Sequence, residues 1–479
     1  MNAINPSLII TQRDAYAALP SVIFWLGVCF LLPIAALFGG MPYLLVGLAV
    51  VLAVVVYRRP QEAPGVGILY LFACNILLPH SARFDGVTTP WEMYYWAIGL
   101  LIVTISAVAR IGLRQVFAVP RSARSFLLVA FAAAVYGQTH GAAFSYVSRQ
   151  FYGVLMLIVY LGIAIHVGDE ELLLRRIQVF GTLCTFCFVV YYVAVFPKYG
   201  FHKEIGFNGT EACLLSIVLF IQGMQRRKVS WILTGLALLL VPILFFMRGA
   251  VLTFIMTLPL AVALRVKSKK FKFFCWATSV LIALPAIFPP VAQMAMDEIS
   301  KVPGMERFLP PGIQDSDTLF ERVVQLGAAV ATVQAHPLLG AGIGSDIEFD
   351  SPTMGARQVA FVDSGWAYLL QKMGVLGAVT FVWLLITIFG SLSEESIGFS
   401  ACLLSAVIVT LFSQPVFFHF TTSPFMGAFA GLLLAAKHRH RISIGARSQV
   451  IGGPGFLSTL HKKFSYALMK AASSRLQKH

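Results

Sequence analysis

The chain has 479 residues, of which 58% are hydrophobic and only 12% charged, with a mean hydropathy of +0.80. A soluble domain carries about 25% charged residues, so there is too little polar material here to cover a wet surface. The net charge of +15 does not point to nucleic acid. The cations cluster at alternate boundaries of apolar blocks instead of forming one stripe with interleaved aromatics.

The first twenty residues contain Arg13 and precede any apolar block, and no cleavable signal peptide is expected. Apolar blocks then run at 21–39, 41–57, 65–79, 91–109, 125–139, 150–167, 177–197, 212–224, 229–247, 250–266 and 273–292, and again at 365–389, 396–414 and 422–436. Most approach the roughly 20 residues that a bilayer core requires. Blocks 65–79, 125–139 and 212–224 are short, and are expected to borrow flanking residues, tilt little or span only in part. The fold expected is all-α and polytopic, with about fourteen transmembrane helices. Residues 1–20 form a cytoplasmic N-terminus, 21–292 hold eleven spans, 293–362 one long loop, 363–436 three more spans, and 437–479 a basic tail.

Placing the N-terminus inside assigns 26 of the 36 Lys and Arg residues to the cytoplasmic side. The positive-inside rule therefore predicts N-in and C-in, with the long loop from Gln293 to Val362 on the outer face. The tail, with Lys462, Lys463, Phe464, Tyr466 and Leu468, reads either as an amphipathic lipid-surface segment or as a solvated one. All seven cysteines fall in apolar segments, so Cys184-x-x-Cys187 reads as buried small hydrophobes and not as a redox pair.

Arg248 stands between two apolar blocks with almost no loop around it, on the predicted outer side. It is either an interfacial anchor or a functional cation, and its planar fork suits a diphosphate. In the long loop, Thr318-Leu319-Phe320-Glu321 has the spacing of a capping box and predicts a helix running to about Ala335, before His336-Pro337. Arg322, expected in its first turn, either meets a lipid headgroup or phosphate, or snorkels or pairs with a nearby carboxylate. The glycines of His336-Pro337-Leu338-Leu339-Gly340-Ala341-Gly342-Ile343-Gly344 suit either a tight turn with unusual backbone angles or a phosphate cradle. Asp363 opens the next span, as an N-cap or as a carboxylate able to accept a proton from a hydroxyl. Lys372 lies nine residues on, about 13 Å down a straight helix, with carboxylate pairing, phosphate contact and snorkelling all open to it. No metal and no cofactor is expected.

Three stretches together resemble a known family, the O-antigen ligases and O-antigen or exopolysaccharide polymerases of bacterial inner membranes. These are Arg248-Gly249-Ala250 opening a span; Arg322-x-x-x-Leu326 followed by His336-Pro337-Leu338-Leu339-Gly340-x-Gly342; and Asp363-Ser364, nine residues, then Gly374-Val375-Leu376-Gly377. The resemblance covers roughly residues 205–435. It implies a metal-independent integral-membrane glycosyltransferase that moves glycan from a polyprenyl-diphosphate carrier to an acceptor hydroxyl. It also implies that Arg248 and Arg322 hold the donor diphosphate. Where ligases carry a catalytic His, this chain has Asp363, which favours a polymerase with Asp363 as base and inversion at the anomeric carbon. Arg149, Lys203 and Glu211, on outward loops by topology, are expected to line the sugar cleft, with His336 and Lys372 as further substrate contacts. The expected partners are lipid-linked oligosaccharide, membrane lipid, a chain-length regulator and a flippase, and no nucleic acid. A ligase acting on lipid A core is the nearest alternative. A lipid-linked sugar transporter is the alternative of another class, and the absence of an internal sequence repeat speaks against it.

Overall fold

The computed structural model describes residues 41–77, 90–199, 209–244, 248–287, 314–351, 355–359, 365–391, 396–412, 417–419 and 422–436. The protein is mostly helical. Every apolar block from residue 41 onward coincides with a helix. In chain order these are α1 (Met41–Arg58), α2 (Ala63–Leu77), α3 (Pro90–Ile111), α4 (Arg121–Thr139), α5 (Phe144–Val167), α6 (Glu170–Tyr199), α7 (Gly209–Arg226) and α8 (Val229–Leu244). They continue with α9 (Arg248–Arg265), α10 (Lys269–Ile287), α11 (Gln314–Ala335), α12 (Gly365–Phe389), α13 (Ile397–Phe412) and α14 (Ser423–Ala436). Two of them, α5 and, counted through a break at Gly374, α12, are long and apolar enough by length and composition to cross a membrane. The short blocks at 125–139 and 212–224 borrow flanking residues, as α4 and α7 both begin before them.

Local chemistry explains several boundaries. Asp169 accepts a hydrogen bond from the Leu172 amide at 3.1 Å, an N-cap that starts α6 with Glu170 and Glu171 at the favourable positive end of its dipole. The helix of the long loop stops at Ala335 as the His-Pro pair predicts, but it begins at Gln314, before Thr318. Thr318 therefore lies inside α11 and is not its N-cap. The all-α expectation also needs correction. Residues Ile347–Ser351 (β1) and Gly355–Val359 (β2) pair antiparallel, with Ile347 opposite Val359. Ile347 and Phe349 are buried while Glu348 and Asp350 are exposed, the two-residue period of a half-buried strand.

The largest departure lies within α12. Gly374 has φ 59° and ψ −158°, outside the helical region. The rings of Trp366 and Phe381 lie 6.4 Å apart, whereas a straight helix would separate residues fifteen apart by about 22 Å. Phe418 bridges both arms, stacking on Tyr368 at 5.5 Å and meeting Phe381 at 5.0 Å. The helix thus folds back at Gly374 into a short arm, 365–373, lying beside a longer one, 375–389. Hydropathy is unchanged across the break, so the sequence reads as one span.

The interior is a single apolar cluster threading most of the helices. Cys74, Cys213 and Cys402 are buried thiols within it, and Cys275 is buried as well; none of the four is in a disulfide, as small hydrophobes should be. The side chains of Cys184 and Cys187 lie outside the described residues.

Candidate functional site

The loop from His336 to Ser345 enters the helix bundle between α4, α5 and α12, and its glycines permit the entry. Gly340, Gly342 and Gly344 have φ of 62°, 90° and 92°, the left-handed region that L side chains avoid. At Gly342 a Cβ would fall 2.5 Å from the backbone nitrogen of Gly137, so the loop and α4 touch glycine to glycine.

The loop's amides are spent in this docking. Gly340 N donates to His336 O, Ala341 N to Gln371 O, Ile343 N to Ala133 O, Gly344 N to Gln150 Oε1 at 2.9 Å, and Ser345 N to Gly342 O. An anion nest needs free N–H groups, and five of these are taken. Of the two readings of this glycine run, the geometry selects the turn.

The break in α12 is closed by the same loop. Val375 N and Leu376 N, which a continuous helix would bond internally, donate to the carbonyls of Pro337 and Leu338. Just before the break, Lys372 is fully buried and its ammonium donates to the carbonyl of Ser345, with the charge of Asp346 nearby. Burying an unpaired ammonium costs several kcal/mol, so this tie and the acidic neighbour are what make the position tenable. Lys372 lies near the end of the short arm, two residues before the break at Gly374, under the loop.

Polar groups gather around this junction. Arg149 lies close enough to Tyr368 for its charge to act on that hydroxyl. Among the described residues the Tyr368 hydroxyl and the Gln371 amide are buried without a hydrogen-bond partner, which leaves them available to a ligand or an ordered water. His336 is exposed, with Nδ1 3.3 Å from the Tyr136 hydroxyl; Tyr136 in turn packs on His140 at 3.9 Å between rings. The arrangement offers two cations, two imidazoles and phenol hydroxyls at one end of an apolar bundle. Such a set can grip phosphate and sugar hydroxyls.

Of the eight residues singled out from the sequence, three (Arg149, His336 and Lys372) border this junction. Arg322 belongs to α11, which packs against α12 and β1. Arg248 is the first residue of α9. The side chains of both arginines lie outside the described residues, as do Asp363 and Lys203 altogether. Glu211 is buried in the first turn of α7. Tyr368, Gln371 and Gln150 were not foreseen. Their signal was a polar side chain inside an apolar helix, which is costly unless used.

At the far end of α5, about 36 Å away for 24 residues, a second polar group is wholly different. Arg176 makes a two-pronged ion pair with Glu62, at 2.8 and 2.6 Å. Arg226 contacts Glu170 and Glu171, Lys228 contacts Glu171, and Ser396 donates to Glu170 at 2.7 Å. Burial alone would raise the Glu171 carboxyl. The hydrogen bond and charge of Lys228, with Arg226 and Arg175, outweigh it and hold the group below its ordinary range.

No protein-family model matches the chain, and no curated protein matches it either.

Proposed function

We propose that the protein is a multi-pass inner-membrane polysaccharide polymerase that joins polyprenyl-diphosphate-linked repeat units at the non-cytoplasmic face. The observation that carries the reading is the meeting of Arg149, His336 and Lys372 around one loop, at one end of an apolar bundle. Helix α11, which bears Arg322, packs on the same broken helix. An apolar exterior supports the membrane part: Leu128, Phe144 and Ile386 are among many large hydrophobic side chains exposed on the outside of the bundle, which only lipid would cover without cost. The ion-paired end joins segments 60–62, 170–176 and 226–228, assigned to the cytoplasm by their basic residues, with Ser396, which the alternation of apolar blocks puts on the same side. The glycine-loop end joins segments all assigned outside.

In this reading an acceptor sugar hydroxyl attacks the anomeric carbon of the donor and the polyprenyl diphosphate departs. Arg248 and Arg322 neutralise the leaving group, and Asp363 takes the hydroxyl proton. One displacement inverts the anomeric centre. The resemblance in motif order and the Asp363 substitution favour polymerase over ligase.

A second reading, a lipid-linked sugar transporter, draws on the broken helix and the buried Lys372, since transporters place such features at substrate sites. Here the amides freed at the break are occupied by Pro337 and Leu338, so the broken end faces protein and not a translocation path. Purified protein given lipid-linked repeat units separates the readings. A ladder of products in detergent supports the polymerase, and transfer onto lipid A core the ligase. Passage of lipid-linked sugar across proteoliposomes without either product supports the transporter. Under the polymerase reading, Arg248→Ala and Arg322→Ala each abolish chain growth at normal membrane levels, and Asp363→Asn is more damaging than Asp363→Glu.

A further inference from the structure

The turn between α9 and α10 carries Arg265, Lys267, Lys269, Lys270 and Lys272 within eight residues, all exposed. Interleaved with them are Phe271, Phe273 and Phe274, with Phe273 75% and Phe274 63% exposed. The turn is short and ordered: Val266 N closes α9 on Val262 O, and Lys272 N bonds back to Ser268 O. Cations and aromatics are therefore held side by side on helical backbone, with Phe271 and Phe274 one turn apart and their rings 6.2 Å from each other.

What separates this cluster from the ion-paired end is that, among the described residues, no acidic side chain meets it. Arg176, Arg226 and Lys228 are met by Glu62, Glu170 and Glu171. Among the described residues, none of the five cations at the α9–α10 turn has a carboxylate within ion-pair distance. The sequence has no Asp or Glu between Glu211 and Asp297, so no local acid is on hand. Five unneutralised charges repel one another unless an external anion joins them. Bare phenylalanines among them call for an anion that brings its own hydrocarbon.

We infer that the α9–α10 turn is a binding site for anionic phospholipid, its lysines on the phosphate headgroups and Phe271, Phe273 and Phe274 in the upper acyl region. This rests on the membrane part of the proposed function and not on the polymerase chemistry. A soluble polyphosphate would satisfy the lysines but leave the phenylalanines in water.

The test uses the full chain, delipidated in a mild detergent and titrated with short-chain phosphatidylglycerol, short-chain phosphatidylcholine and inorganic pyrophosphate, with bound species counted by native mass spectrometry. Phosphatidylglycerol is expected to bind about tenfold better than phosphatidylcholine, the worth of one to two lysine contacts with a single anionic headgroup. The variant K267Q/K269Q/K270Q/K272Q loses that preference, while Lys228→Gln, at an ion-paired cation, keeps it. F273S/F274S weakens both lipids and leaves pyrophosphate unchanged. An unchanged preference in the quadruple lysine variant, or pyrophosphate or a DNA oligonucleotide bound as tightly as phosphatidylglycerol, overturns the assignment. Extraction of the chain from cells by alkaline carbonate, without detergent, would instead sink the membrane reading itself. Chain growth is not read in any arm, so failure of the polymerase reading leaves this result intact.

Discussion

The two ends of the bundle handle polar groups by opposite means. At the ion-paired end, side chain meets side chain: Glu62 with Arg176, and Glu170 and Glu171 with Arg226 and Lys228, mostly part-exposed. At the glycine-loop end, backbone meets backbone, and the buried cation, Lys372, is tied to a carbonyl. A side-chain pair in contact with water tolerates repacking and is worth little. A backbone docked through left-handed glycines fits in one way only. The first end is a fastening, the second a fixed geometry, and fixed geometry is what a site for positioning a reacting diphosphate requires.

If that contrast holds, substitution at the glycine-loop end is the more damaging. Gly342→Ala puts a methyl against Gly137 and forces a left-handed alanine, so it is expected to cost about 4 kcal/mol. A thermal unfolding midpoint in detergent within a degree of the parent would show that the docking is dispensable. At the other end the deepest pair is the exception. Glu62→Gln leaves Arg176, only 14% exposed, short of its charge partner and is expected to cost about 3 kcal/mol, read by the same melt.

Lys372→Met keeps the volume and removes the charge, so stability shifts by less than about 2 kcal/mol in either direction. The loop loses its tether, however, and under the proposed polymerase reading chain growth falls about 100-fold, the scale of a small misplacement at a reacting centre. Normal growth in that variant would reduce Lys372 to a packing residue. The smallest effect belongs to Glu171→Gln, at most about 1 kcal/mol. Because its folded-state pKa is depressed, Glu171 contributes stability above the ordinary carboxylate range, near pH 4.3, and loses it as pH falls through the lower folded value. Melts at pH 7 and pH 5 should therefore show the same difference between Glu171→Gln and parent, and a more acid series should erase it.

Much of the helical layout was legible because apolar run length and cation placement are composition-level signals. The 365–389 block matches α12 residue for residue. What the sequence concealed was conformation inside such runs. Met373-Gly374-Val375 has the hydropathy of any span, and the sign of one φ angle turns α12 back on itself. The hairpin was hidden because a long loop read as a single unit does not advertise a five-residue alternation such as Ile347 to Ser351. The glycine run was noticed, but the choice between a turn and an anion cradle depended on where its amides point, which is a tertiary fact. Gln150, Tyr368 and Gln371 were readable in principle as polar residues in apolar surroundings, though nothing in their spacing links them to one another.

The doubling back of α12 also changes how thick the protein is at that point. Its longer arm, residues 375–389, is fifteen residues, about 22 Å of helix, against a hydrocarbon core of about 30 Å. Under the proposed membrane reading, a bilayer meeting so short a wall thins or admits water locally. A dimple of this kind beside the glycine loop would let a carrier's pyrophosphate sink below the level of the surrounding headgroups without its tail leaving the lipid.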